Sequence, residues 1–288
     1  MKPHNTMKRY VEGVRAGFGR LLGDEKQVRL LEEELAEERR RVERLKEQNR
    51  RLKRRAQGIR RTGGGRGVQV GSVRFGDFRR LYPISREFGL DRGGPIDRYY
   101  IENFLARHAE DIGGRVLEIK DSALTRKYGG GRVTVSDVLD VDESNRRATI
   151  VADLTRAEDV PSNIFDCIIC TQTLHFIYDL GSAVRTLQRI LKPGGSLLAT
   201  FPGIGQTSCQ KLDERYCWAL STLAARRLFE EVFPAISVEI EAHGNVLAAV
   251  AFLEGLAVRE LREDELDHHD PDYELLITLR AVKPEAEA

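Results

Sequence analysis

The clearest pattern in the chain lies between Asn163 and Gly203, where apolar and polar positions predict two buried strands joined by an amphipathic helix. Phe165-Asp166-Cys167-Ile168-Ile169-Cys170 is a short apolar run of the kind a parallel sheet buries on both faces. Polarity returns at Thr171-Gln172-Thr173-Leu174-His175. Ala183, Leu187, Ile190 and Leu191 then recur at helical spacing, Lys192-Pro193-Gly194-Gly195 stops the helix, and Ser196 to Thr200 starts a strand again. Ligands of open α/β sheets lie beyond the carboxyl ends of the strands, so Thr171 to His175 and Phe201 to Gly203 are expected to flank one crevice.

The order F-D-x-I-I, x-x-T-L-H and R-x-L-K-P-G-G resembles class I S-adenosylmethionine-dependent methyltransferases, and the Leu191-Lys192-Pro193-Gly194-Gly195 turn is a specific mark of that family. The resemblance covers roughly residues 85 to 283 and implies an α/β, Rossmann-like, mostly parallel sheet of seven strands. Arg115 to Ile119 takes the place of the first strand, Arg132 to Val135 the second and Ala148 to Ala152 the third. Val238 to Ile240 is expected as the sixth strand and Tyr273 to Arg280 as the seventh, with helices over Leu223 to Phe233 and Val246 to Val258. The family's first loop is rich in glycine, but here it reads Lys120-Asp121-Ser122-Ala123-Leu124, with a side chain where a ligand usually meets bare backbone. Gly129-Gly130-Gly131 comes too late to replace it.

What the resemblance implies for the site is S-adenosyl-L-methionine as cofactor and a lining of Glu118, Lys120, Asp121, Asp137, Asp153, Leu154, Thr171, Gln172 and Tyr99. Asp137, taken as following the second strand, is expected to hold the ribose hydroxyls; Asp153 is expected to accept from the adenine amine, and Leu154 to cover the ring. Taken singly, either acid reads as an ordinary strand-ending turn residue, but their place at successive strand ends favours ligand contacts. His175 is the catalytic candidate, an imidazole positioned to take the proton of an alcohol near neutral pH, or else to pack the following helix. Tyr99 and Tyr100 open the helix before the first strand and suit either a lid or ordinary packing. Arg92-Gly93-Gly94-Pro95-Ile96-Asp97-Arg98-Tyr99-Tyr100-Ile101-Glu102 is similar to a leading segment in methyltransferase-like proteins of bacterial surface-polysaccharide clusters. That likeness implies O-methylation of a sugar or glycan-related metabolite. The alternative is an inactive methyltransferase-fold scaffold that organises partners.

Residues 1 to 66 form a different object. They hold 20 Lys and Arg against 10 Asp and Glu, with 26 against 35 in the remainder, so the net charge of +1 conceals a basic arm on an acidic domain spanning 67 to 288. Val28, Leu35, Val42, Asn49 and Ala56 alternate with Leu31, Glu38, Leu45 and Leu52 as positions a and d of a coiled coil. Asn49 at a favours a parallel homodimer through residues 28 to 56. Arg50 to Arg61 is a basic collar suited to phosphate groups or a membrane surface; it lacks aromatic residues for stacking on bases, so nucleic acid is not the expected partner. Gly63-Gly64-Gly65 makes a flexible joint.

Neither a secretory signal nor a transmembrane segment is predicted, which points to a cytoplasmic protein with reduced thiols. Cys167 and Cys170 are expected to point to opposite faces of one strand, and no metal is expected.

Overall fold

A computed structural model describes residues 46, 68–209, 214–215 and 217–285. The chain divides into two units, Met1–Phe75 and Gly76–Ala288. The predicted coiled coil (28–56) and the collar lie, apart from residue 46, outside the described residues. The sheet and its helices belong to the second unit.

Seven strands make one sheet: β1 Gly114–Ile119, β2 Val133–Asp140, β3 Ile150–Val151, β4 Phe165–Thr171, β5 Leu191–Pro202, β6 Val238–His243 and β7 Leu276–Val282. Their order is β3-β2-β1-β4-β5-β7-β6. Strands β1 to β5 are parallel, while β7 runs antiparallel to both β5 and β6. The chain therefore leaves β1 in one direction, through β2 and β3, and returns to β4 on the other side. Between β1 and β4 lies the point where the order reverses and a crevice opens.

Alternation along the strands sorts the side chains into two cores. On one face Leu117, Ile168, Cys170 and Leu197 meet Val184 and Leu187 of α2 (Leu180–Ile190) and Phe229 of α3 (Thr222–Glu230). On the other, Val116, Cys167, Ile169 and Leu198 meet Ile101 and Phe104 of α1 (Ile96–Arg107) and Ala248 and Phe252 of α4 (Val246–Leu253). Cys167 and Cys170 thus fall on opposite faces, both free thiols. Helix α2 begins where Asp179 accepts from the Ser182 N–H at 3.0 Å. It ends at Ile190, and Leu191 already belongs to β5, so the Lys192-Pro193-Gly194-Gly195 turn forms the first part of that strand. Gly195 is needed there, because a Cβ would lie 3.0 Å from the Phe165 carbonyl.

The second strand departs most from expectation. It runs through Asp140 and does not stop at Val135, because Val138 and Leu139 are buried and the polar Ser136-Asp137 pair continues the ladder beside β1. The third shrinks to two residues. A short helix, α5 (Glu263–Asp267), precedes β7. Among the described residues no helix is long and apolar enough to cross a membrane, and no three His, Cys, Asp or Glu gather as a metal site.

Candidate cofactor cleft

At the carboxyl end of β1 the main chain turns sharply, and Lys120 takes φ 72°, the left-handed region that glycine usually fills. The loop keeps a glycine's geometry with a lysine in place, at a cost of about 1 kcal/mol. Its N–H donates to the Leu139 carbonyl at 3.0 Å. Glu118, one turn of the strand earlier, is buried and accepts from the N–H groups of Leu124 (3.1 Å) and Thr125 (2.7 Å) and from the Thr125 hydroxyl (2.7 Å). Burial pushes its carboxyl above the ordinary value, against the pull of those donors. Glu118 thus holds the loop shut on itself. Asp121 does the same locally, accepting from the Ala123 N–H at 2.7 Å.

Asp137 is not at a strand end. It lies within β2, where it accepts from Arg115 Nε at 2.7 Å and from the Thr149 hydroxyl at 3.0 Å. Arg115 also lies over the Phe165 ring, 5.3 Å from its centroid. The expected strand-end acid is therefore Asp140, three residues later, which closes β2 and lines the cleft. Asn145 holds it, its Nδ2 donating to Asp140 Oδ2 at 2.7 Å and to the Lys120 carbonyl at 2.8 Å. One amide thus ties the ends of β1 and β2. Sequence reading missed both residues; the buried pair Val138-Leu139 just before Asp140 was the available signal.

Asp153 and Leu154 follow β3 and line the same cleft. Asp153 Oδ1 accepts from the N–H (2.8 Å) and hydroxyl (2.9 Å) of Thr155, leaving Oδ2 open among the described residues. Beyond β4, Gln172 has φ 47°, a second left-handed side chain at the rim. Its N–H donates to the Thr200 hydroxyl (3.1 Å), its Nε2 donates to Asp97 of α1 (3.0 Å), and its Oε1 is buried with no partner among the described residues. Thr171 ends β4, and its carbonyl accepts from the Thr173 hydroxyl at 3.0 Å. Left-handed residues with side chains at the ends of two adjacent strands are strained conformations of the kind that gather at functional sites.

The cleft holds about 630 Å³ between the ends of β1, β2 and β3 and the turn after β4. Ile119, Leu139, Val141, Ala152, Leu154, Phe176 and Ile177 make its walls apolar. Lys120, Asp140 and Asp153 supply the charged groups on the strand ends, and Asp179 adds a carboxylate at the cap of α2. These carboxylate acceptors on apolar walls suit a flat apolar group bearing hydrogen-bond donors, joined to a polyol.

His175 lies behind that lining. It is 4% exposed, tilted against Phe176 with ring centroids 4.0 Å apart, and its carbonyl accepts from the Cys217 N–H at 2.8 Å. Burial, aided by the positive charge of Lys120, lowers its pKa to about 4. Such an imidazole is neutral near pH 7 and a weak base. Tyr99 is not brought to this cleft at all. Its hydroxyl donates to Asp267 at 2.6 Å, and with Tyr100 and His243 it lines a different hollow of about 550 Å³, between α1, β6 and α5.

A family described as "Methyltransferase domain" matches residues 106–199, from the end of α1 into β5, and so includes all four strands whose ends build the cleft. No curated protein matches the chain. Among solved structures, the chain is similar to a SAM-dependent methyltransferase from Archaeoglobus fulgidus (14% identity, TM-score 0.47, 68% of this chain and 97% of that one). It is similar to an S-adenosylmethionine-dependent methyltransferase from Mesorhizobium loti (18%, 0.44, 67% and 100%), and to the cyclase SpnF (19%, 0.40, 65% and 82%). The sheet order and the matched domain define the Rossmann-like α/β fold of class I methyltransferases.

Proposed function

We propose that this chain is an S-adenosylmethionine-dependent methyltransferase acting on a hydroxyl of a sugar or glycan-related acceptor. The observation that carries the cofactor half of this reading is the pair of carboxylates, Asp140 and Asp153, at successive strand ends of one apolar cleft beside the reversal of strand order. Asp140 suits adjacent ribose hydroxyls, since each carboxylate oxygen keeps room for a further donor. Asp153 Oδ2 suits the exocyclic amine of adenine, and Leu154 with Ile177 suits its faces. When bound, the cofactor supplies a methyl group on an already activated sulfonium.

The protein's part is then alignment and exclusion of water. Lys120 and Gln172 hold the strand ends in one fixed geometry. His175 packs beneath the turn from Thr173 to Phe176 and serves as a wall, since an imidazole with a pKa near 4 takes up little proton at neutral pH. Trp218 donates from Nε1 to the carbonyls of Ile177 (3.1 Å) and Tyr178 (3.2 Å) and stacks on the Tyr178 ring, closing the side of the turn after β4. The acceptor hydroxyl is supported by the likeness of residues 92 to 102 to proteins of polysaccharide clusters.

The arm completes the proposal: residues 28 to 56 pair two chains, and Arg50 to Arg61 contact a phosphate-bearing or membrane surface. Transfer of labelled methyl from S-adenosylmethionine to a panel of sugar nucleotides and glycans tests the reading. Incorporation into a hydroxyl supports it. Cofactor binding without transfer to any acceptor supports the scaffold that organises partners through its coiled coil.

A further inference from the structure

Tyr99 and Tyr100, which the cofactor cleft does not use, line the second hollow, of about 550 Å³. Tyr99, Asn103 and Arg107 recur every four residues on α1, so they make one row about 12 Å long beside the edge strand β6. Glu241 and His243 of β6 and Asp267 at the end of α5 line the same hollow. The Tyr99 ring meets Tyr100 edge to face (5.4 Å, 84°), and Tyr100 stacks on His243 (5.6 Å, 23°), so aromatic surface backs the polar row. Arg107 donates to Glu241 at 2.7 Å, the Tyr99 hydroxyl donates to Asp267 at 2.6 Å, and burial lowers the pKa of His243 to about 4. The hollow therefore offers many hydrogen-bonding groups without a concentrated charge. Strand β6 is parallel to β5, which places His243 at the same end of the sheet as the cleft. Helix α1 joins the two places, since Asp97 in its first turn accepts from Gln172 Nε2 at the end of β4 (3.0 Å).

We propose that this hollow is a carbohydrate subsite, which takes a neutral sugar unit of the acceptor away from the reacting hydroxyl. A pyranose presents C–H groups that lie against a ring face and hydroxyls that both donate and accept. The half-buried Tyr99 supplies the ring, and the exposed carboxylates of Asp267 and Glu241 accept from adjacent hydroxyls. Exposed Asn103 supplies a donor and an acceptor in one planar group. Because Arg107 is already met by Glu241, the hollow favours a neutral ligand over an anionic one. The place of this subsite in the acceptor rests on the sugar-acceptor reading, whereas sugar binding itself is measured without methyl transfer.

Ligand-observed NMR on the full chain, with and without S-adenosylhomocysteine, compares the methyl glycosides of glucose, galactose, mannose and N-acetylglucosamine with lactose and cellobiose. Glucuronate and glucosamine serve as charged controls. At least one neutral sugar is expected to bind saturably with a Kd of about 1 mM, more tightly than either control. Tyr99→Ala is expected to weaken it about tenfold and Asn103→Ala about threefold, with S-adenosylhomocysteine affinity changed by less than about twofold. Asn103 is exposed, so its variant reads the site even where Tyr99→Ala fails to fold. Asp140→Ala is expected to leave sugar binding as it was. No saturable binding of any neutral sugar overturns the proposal, as does binding that both variants leave unchanged or that S-adenosylhomocysteine displaces. A charged control that binds more tightly than every neutral sugar overturns the ligand class. Sugar bound here and never methylated keeps the subsite and removes the methyltransferase reading. Methyl transfer to a sugar whose KM is unchanged in Tyr99→Ala and Asn103→Ala keeps that reading and removes the subsite.

Discussion

Asn145 donates from its side-chain amide to the Asp140 carboxylate at 2.7 Å, and the same nitrogen reaches the Lys120 carbonyl at 2.8 Å. The two strand ends that flank the cleft are therefore spaced by one residue of the loop between β2 and β3. Asn145→Ala removes both bonds, each worth about 1 kcal/mol, while touching no apolar core. S-adenosylhomocysteine affinity is expected to fall by about three- to tenfold. The thermal midpoint is expected to fall by only a few degrees. Unchanged affinity would mean that the spacing of Asp140 and Lys120 is irrelevant to the ligand.

Asp137 and Asp140 separate stability from binding. Asp137→Ala strands Arg115 beside Phe165 and leaves the Thr149 hydroxyl only its longer bond to the Val138 carbonyl (3.4 Å), so it is expected to lower unfolding free energy by about 1–3 kcal/mol with little effect on cofactor affinity. Asp140→Ala, which gives up its bonds from Asn145 Nδ2 (2.7 Å) and the Asp142 N–H (3.1 Å), is expected to lower affinity as well, by about tenfold or more. Urea denaturation and calorimetry on the two variants read both effects; a binding defect in Asp137→Ala alone would return the ribose role to Asp137.

Acid stability follows from His175 and His243, both lowered to about 4 by burial. The unfolded chain takes up these protons first, near pH 6.5, so the stability they contribute is fully present above that pH and is lost as pH falls toward 4. By pH 5 each is expected to remove up to ~2 kcal/mol. Urea midpoints between pH 7 and pH 5 should fall in the native protein, and His175→Phe should flatten part of the slope. Identical slopes would place His175 in a solvated site. The same variant is expected to keep most of its methyl transfer, because a neutral wall, unlike a general base, tolerates an aromatic replacement.

The arm is read from heptads alone, and its prediction is assembly. Light scattering is expected to show a dimer for the full chain, a monomer for a chain beginning at Val68, and mixed oligomers for Asn49→Leu, since the paired Asn at position a sets partner number. A full chain that scatters as a monomer contradicts it.

Much of the sheet was legible because its signals are local. The unbroken apolar run of β4 and the helical spacing of α2 need no distant partner to be read, and Asp153-Leu154 stands at its strand end as expected. Residues whose roles depend on distant partners were not legible. The polar Asp137 looks like a strand terminus until Arg115, on the neighbouring strand, is seen to satisfy it. Tyr99 suits a lid or a packed helix equally, and only the fold shows its hydroxyl turned to Asp267, far along the chain. Lysine carries no preference for positive φ, so the sequence reads Lys120 as an obstacle where the backbone retains the turn. Asn145 sits among polar turn residues that all look alike until its amide bridges two strands.

In the proposed function, the cleft at the ends of β1, β2 and β3 binds an S-adenosyl cofactor through Asp140. Titration calorimetry of S-adenosylhomocysteine into the native full chain, with Asp140→Ala beside it, measures this directly. Saturable binding to one site per chain, weakened by about tenfold or more in the variant, is the predicted result. No heat of binding at millimolar ligand, or the same affinity in both proteins, would contradict it.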